Sequence, residues 1–140
     1  MSTRIYEAIV TAWNASALPS TFTGGLWFGE AKRGTAYPYV VMTSLGNSTK
    51  GWTSHSEIRN EPVQFSIYVR EDGANDPVLT VGSLVRSLES FIKNNSFSIS
   101  SSDGHTLSAR RTSDDIRKDP HTDKVWIGQL DVMFLRDKPA

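Results

Sequence analysis

The 140 residues carry 15 Lys+Arg against 15 Asp+Glu, a formal net charge of zero, with 38% apolar residues, 10% aromatic residues and no cysteine. A chain of this length holds about one domain and buries about two-thirds of the surface its unfolded form would expose. The charge balance lacks the basic excess of most nucleic-acid domains, leaving at most a local basic patch, and the absent cysteine excludes disulfides, thiolate metal sites and cysteine nucleophiles.

Residues 1–140 read as a single domain. Residues 3–16 predict an amphipathic helix, because Ile5, Ala8, Ile9, Ala12 and Trp13 recur at helical spacing. Ser2 or Thr3 is placed to cap it. The pattern stops near Leu18-Pro19, and Gly24-Gly25 closes a short loop. Met1-Ser2-Thr3-Arg4 leads into this interrupted pattern rather than into a signal-peptide core. No apolar run approaches the ~20 residues needed to cross a bilayer, so no membrane partner is expected.

Leu26-Trp27-Phe28 predicts a short strand, 31–36 a polar connector, and 37–43 a strand rich in aromatic and β-branched residues with Pro38 at its start. Residues 46–57 are polar and form either a long hairpin tip or two short strand ends. Strict alternation of Val63, Phe65, Ile67 and Val69 with Gln64, Ser66, Tyr68 and Arg70 marks the clearest strand. One of its faces belongs to a core, the other to solvent or a neighbouring subunit. A turn at 71–75 leads to Asp76-Pro77, an N-cap followed by proline at the first helical position. Val78, Val81, Leu84, Val85, Leu88, Phe91 and Ile92 then form one helical stripe, ended by Asn94-Asn95 with asparagine in a left-handed conformation.

Residues 96–102 read as a short edge strand around Phe97 and Ile99, Asp103-Gly104 as a turn, and 106–112 as a strand with Leu107 and Ala109 on one face. Residues 113–124 read as a charged, turn-like stretch. The last strand spans 125–135, with Trp126, Leu130, Val132 and Phe134 in phase and Gly128 at a bulge. Residues 136–140 read as a frayed tail. The order predicts an α+β fold: a mainly antiparallel sheet of four to five strands with two amphipathic helices on one face.

No stretch completes a catalytic pattern. Gly46 and Gly51 have the glycine spacing of a phosphate-binding loop, but Trp52 stands where the phosphate-reaching lysine belongs. There is no G-x-S-x-G elbow, and His55, His105 and His121 all lie in polar, turn-like stretches. Around Asp119 to Asp123 the oxygen ligands of a calcium loop are interrupted by Pro120 and lack the turn glycine. No catalytic residue, cofactor or metal site is expected. Arg110, Arg111, Arg117 and Lys118 form the densest basic cluster, diluted by Asp114, Asp115 and Asp119 and without paired stacking aromatics, so no specific nucleic-acid partner is expected. Trp52, between Gly51 and Thr53, is either an interface anchor or a lid folded onto the core.

Taken in order, the helix beginning Ile5-Tyr6-Glu7-Ala8, the strand Leu26-Trp27-Phe28, the segment Tyr37-Pro38-Tyr39-Val40-Val41, the polar hairpin, the strand 63–69, the helix from Asp76 and the ending Leu130-Asp131-Val132-Met133-Phe134 resemble the tail-completion (tail-terminator) proteins of tailed phages. The resemblance covers nearly the whole chain, and its motifs are architectural. The serine-rich stretch 96–102 and the tryptophan content depart from the pattern. The resemblance implies a non-enzymatic virion protein of the tail or neck, assembled in the host cytoplasm. Copies would close into a ring, usually hexameric, that caps the head-proximal end of the tail tube and docks it to the head connector, with DNA passing through. Partners are then the chain itself, the tail-tube protein and the head-connector or neck protein. Contacts are expected from 46–57, including Lys50, Trp52 and His55, and from 113–124, with Arg110, Arg111, Arg117 and Lys118 as rim charges. Two other readings are a neck adapter or tail-tube-like subunit, and a small nucleic-acid-binding or hydrolase module with a dispersed site.

Overall fold

A computed structural model describes residues 3–45, 48–52, 56–95, 97 and 105–139. Helix α1 (Thr3–Asn14) forms where predicted and buries Ile5, Ala8, Ile9 and Trp13 along one face. A short helix α2 (Leu18–Thr21) follows where the sequence pattern stops. Pro19 lies in its first turn, where a missing N–H costs nothing. The turn drives Leu18 and Phe22 inward, with the Phe22 ring 5.4 Å from Trp13.

Among the described residues, six strands make one sheet: β1 (Leu26–Phe28), β2 (Tyr39–Ser44), β3 (Ser48–Trp52), β4 (Ser56–Arg70), β5 (His105–Lys118) and β6 (Val125–Pro139). The order is β1-β2-β4-β6-β5, with β3 pairing the far end of β4. Of the pairs among the described residues, β1–β2 is parallel and the others are antiparallel. The predicted α+β class and mainly antiparallel sheet hold: five strands lie side by side across the sheet, and 48–52 adds β3 off that path, along β4. Ser2, Gly46, Asn47 and 53–55 lie outside the described residues.

Strands β2 and β3 run in succession along one edge of β4. At the break between them Leu45 N–H donates to the Pro62 carbonyl over 3.0 Å. Proline has no N–H, and in a strand N–H and C=O of one residue point the same way. Pro62 therefore sits in an interior strand at the position where its missing donor faces a break rather than a ladder. On β4, Val63, Phe65, Ile67 and Val69 are buried as their alternation predicts.

Helix α3 (Pro77–Asn94) starts as predicted: the Asp76 carboxylate accepts from Val78 N–H over 2.9 Å. Val81, Val85, Leu88, Phe91 and Ile92 are buried, but Val78, in the first turn, is 43% exposed. The helix ends with Asn95 in an extended conformation (φ −113°), not a left-handed one, and its side-chain amide donates to the Phe91 carbonyl over 2.8 Å. Phe97 is not in a strand. It is buried, its ring 5.8 Å from Phe91 and 5.7 Å from Phe134. The remainder of 96–102 and the Asp103-Gly104 turn fall outside the described residues.

The largest correction concerns the C-terminal third. Residues 113–118, read as turn-like, continue β5; only 119–124 turn, with Asp119 N–H donating to the Val125 carbonyl over 2.8 Å. Strand β6 runs to Pro139, so 136–139 pair with 56–59 instead of fraying. An edge strand pairs on one side and wets most of its side chains, so it carries charge without losing its ladder. Gly128 is no bulge either. It pairs in register with Ile67 and Ile116, and a Cβ there would lie 2.6 Å from Val81 Cγ1 and 2.8 Å from Val85 Cγ2. Glycine at this point is what lets α3 seat on the sheet. α1 and α3 lie together on that face, Trp13 meeting Phe91 edge-on at 6.1 Å. Gly128→Ala is expected to overpack this seat and lower unfolding free energy by about 1–3 kcal/mol in urea denaturation; an unchanged midpoint would show that the helix is not seated there.

Candidate functional site

The long sheet spreads the sequence-predicted contact residues apart. Lys50 and Trp52 lie on β3, Trp52 pairing with Glu57 and a bulge falling at Lys50. His55 lies outside the described residues. The stretch that resembled a phosphate loop is thus extended strand where it is described, without the curled N–H array that cradles phosphate. Arg110, Arg111, Arg117 and Lys118 all lie on β5. Glu57 pairs Lys138 and Arg117 pairs Ile127, eleven positions away on β6, or about 36 Å at strand rise. The two predicted contact regions occupy opposite ends of the sheet.

The four cations also divide between faces. Arg111 and Lys118 pair with Val132 and Trp126, in phase with the helix side, whereas Arg110 and Arg117 pair with Met133 and Ile127 on the other. Arg111 forms ion pairs with Asp114 (2.8 Å) and with Glu89 of α3 (3.6 Å). Arg117 meets Asp115 at 3.3 Å and donates to Gln129 over 2.9 Å. All these side chains are substantially exposed, which limits each pair to about 0–1 kcal/mol.

α3 sits over β6 with β4 and β5 to either side, and a trench of ≈ 720 Å³ runs between α3 and β5. Val85 and Ile116 supply apolar floor, Arg86, Glu89 and Lys93 one rim, and Arg111 and Asp114 the other. A second hollow of ≈ 300 Å³ continues it over Ile92, Ala109, Leu130 and Val132. The trench holds no histidine, and its hydroxyl, Ser90, shares the lining with the charged side chains of Glu89, Lys93, Asp114 and Asp115. His105 opens β5 and His121 sits in the turn beyond its other end, its N–H capped by Asp119 at 2.9 Å. Asp119 is thereby engaged in turn formation. Among the described residues no three His, Asp or Glu side chains come together as a metal cluster, and no helix is long and apolar enough to cross a membrane.

On the opposite face three tyrosines meet. Tyr39 stacks on its cross-strand partner Tyr68 (4.8 Å, 12°) and leans against Tyr37 (5.4 Å). Burial, helped by the neighbouring Tyr37, Tyr68 and Asp119, pushes the Tyr39 phenol up to about 12. Burial and Asp119 raise Tyr68 as well, against Arg117. Beside the stack is a concavity of ≈ 500 Å³ lined by Lys32, Arg33, Tyr37, Tyr39 and Arg70, with Ala31, Gly34 and Thr35. Sequence reasoning missed it. Its signals were Lys32-Arg33-Gly34 and Tyr37-Pro38-Tyr39, but Arg70 joins them only through the β2–β4 pairing.

A phenol held protonated by the fold stabilises it fully below the unfolded value of 10 and loses that contribution as pH rises through about 12. Ultraviolet titration should therefore show a tyrosinate component near pH 12 that Tyr39→Phe removes, together with part of the alkaline loss of stability. A component that survives the substitution would place the burial elsewhere.

No protein-family model and no curated protein matches the chain. Among solved structures, it is similar to a chain of the virion of a native gene transfer agent (GTA) particle, with a TM-score of 0.66 and 9% identity. The match covers 96% of this chain and 92% of that one. At this identity the likeness shows a shared fold, and it extends through nearly the whole of both chains.

Proposed function

We propose that the chain is a structural subunit of a tailed-phage-like virion and, within it, a tail terminator: a non-catalytic protein of the tail or neck. Copies close into a ring, hexameric in the resembled family, that caps the tail tube and docks it to the head connector. The observation that carries this reading is the shared fold with a virion chain through nearly the full length of both proteins.

The geometry supports it in two ways. A terminator needs two opposed docking surfaces. The β3–β4 end, with Lys50 and Trp52, and the 119–124 turn lie at opposite ends of a sheet whose central strands are 15 residues long, about 50 Å. A ring also needs lateral contacts that do not propagate without limit. The β5 edge is dense in charge of both signs and bulged near Leu107 and Thr112, features that discourage open-ended strand addition. The adjoining trench, with apolar floor and mixed-charge rims, suits a side-chain contact between neighbouring copies, the kind of heterologous interface from which closed rings are built.

Native mass spectrometry of the purified protein should show a closed oligomer of one stoichiometry. Arg111→Glu places a third carboxylate beside Glu89 and Asp114 and should leave the protein folded, within about 1 kcal/mol of wild type, but monomeric. A tube-like subunit would give an open ladder of sizes instead. A closed oligomer unaffected by Arg111→Glu would remove the trench from the interface, and a wild-type monomer would count against the ring itself.

A further inference from the structure

The trench and the sheet ends suit protein contacts, but the concavity beside the tyrosine stack is of another kind. Among its eight lining residues three are cations and none is an acid, in a chain whose charges balance. We infer that Lys32, Arg33 and Arg70, with Tyr37 and Tyr39, form a binding site for the phosphodiester backbone of duplex DNA.

The site is built rather than accidental. Lys32 to Thr35 is a turn closed by Thr35 N–H donating to the Lys32 carbonyl over 3.2 Å, with Gly34 at φ +82° in the third position. The wall behind it is clamped to the segment before β1. Gly24 N–H donates to the Pro38 carbonyl (3.0 Å) and the Thr23 hydroxyl to that of Tyr37 (3.1 Å). At Gly24 a Cβ would lie 1.8 Å from the Ala36 carbonyl oxygen, so the two segments are pressed together. Arg70 arrives from the end of β4, across the sheet from the turn. The cations are thus carried on backbone that is fixed before any ligand arrives.

The choice of ligand follows from the rings. Tyr39 lies between Tyr68 and Tyr37, which occupies its faces and leaves little platform for an unpaired base. What remains available is cationic N–H and phenolic O–H, the donors that proteins aim at phosphate oxygens without reading sequence. Asp119 lies near the two stacked rings, and Glu30 and Glu71 adjoin Ala31 and Arg70 in the chain, but none of the three lines the cavity. The inference rests on the cavity alone. The virion reading adds only a reason for DNA to be near, so either can fail without the other.

Fluorescence anisotropy with a labelled random-sequence duplex, between about 50 and 200 mM salt, tests it. Wild type should bind with a log–log salt slope set by about three phosphate contacts, and Arg33→Ala/Arg70→Ala should reduce that slope by about 2 and weaken binding at least tenfold. Arg110→Ala, outside the cavity, should change binding less than twofold. Circular dichroism confirms folding of each variant, and Lys32→Ala/Arg33→Ala, confined to the exposed turn, repeats the test without touching β4. Three outcomes overturn the inference: binding unchanged in both double variants, tighter binding of single-stranded than of duplex DNA, or equal displacement by polyglutamate, which would make the site one for acidic protein segments.

Discussion

The β4–β6 ladder is the constraint on which the remaining structure depends. The two strands pair antiparallel from Ser56↔Pro139 to Arg70↔Val125, without a register break. The other strands take their places from that pair: β2 and β3 in succession along β4, β5 along β6, and β1 outside β2. The ladder is far longer than the helix layer needs to cover. α3, at 18 residues and about 27 Å, spans roughly half of it. The result is a sheet with an apolar centre under α1 and α3 and a far end that runs past the last turn of α3. Gly128, the fourth residue of β6, supplies the close approach that seats the helix.

What was legible in the sequence was whatever carries a strong local period or cap. Asp76-Pro77 and the stripe from Val81 to Ile92 announce α3, and the alternation from Val63 to Val69 announces the buried part of β4. The missing pieces share a physical cause, since each is decided by a partner distant in the chain. Residues 113–118 look like a turn because Asp114, Asp115, Arg117 and Lys118 are hydrophilic, yet their backbone is held by β6 and their side chains are wet on an edge. The segment 136–139 looks like a tail until β4 lies beside it. Phe97 is apolar in a serine-rich frame, which suggests an edge strand, and its place between Phe91 and Phe134 depends on a helix end and a strand that no local window contains. Gly128 reads as a defect locally and as a necessity once α3 is docked.

The candidate site was legible to a similar extent. The sequence singled out Arg110, Arg111, Arg117 and Lys118 as one basic cluster. Strand alternation separates them into two faces, and Asp114, Glu89, Asp115 and Gln129 engage two of them. The cationic concavity could not be assembled by inspection because Lys32 and Arg70 meet only through the pairing of Tyr39 with Tyr68. The same alternation separates two kinds of surface. The helix side of β5 presents apolar floor with charges of both signs, suited to a protein neighbour. The opposite side presents tyrosines beside a concavity of one sign, suited to a polyanion.

The physical account of function then turns on length. A sheet about 50 Å long, held rigid by one unbroken ladder, carries a β3–β4 tip at one end and the 119–124 turn at the other, with a charged edge between them. Such a subunit suits a ring whose two rims meet different neighbours. Cryo-electron microscopy of the assembled oligomer tests this most directly. The account predicts a closed ring with β4 and β6 running along the ring axis, so that Trp52 and the 119–124 turn lie on opposite rims and β5 lies between neighbours. A ring in which both ends of the sheet lie on the same rim, or in which β5 faces solvent all round, would contradict it.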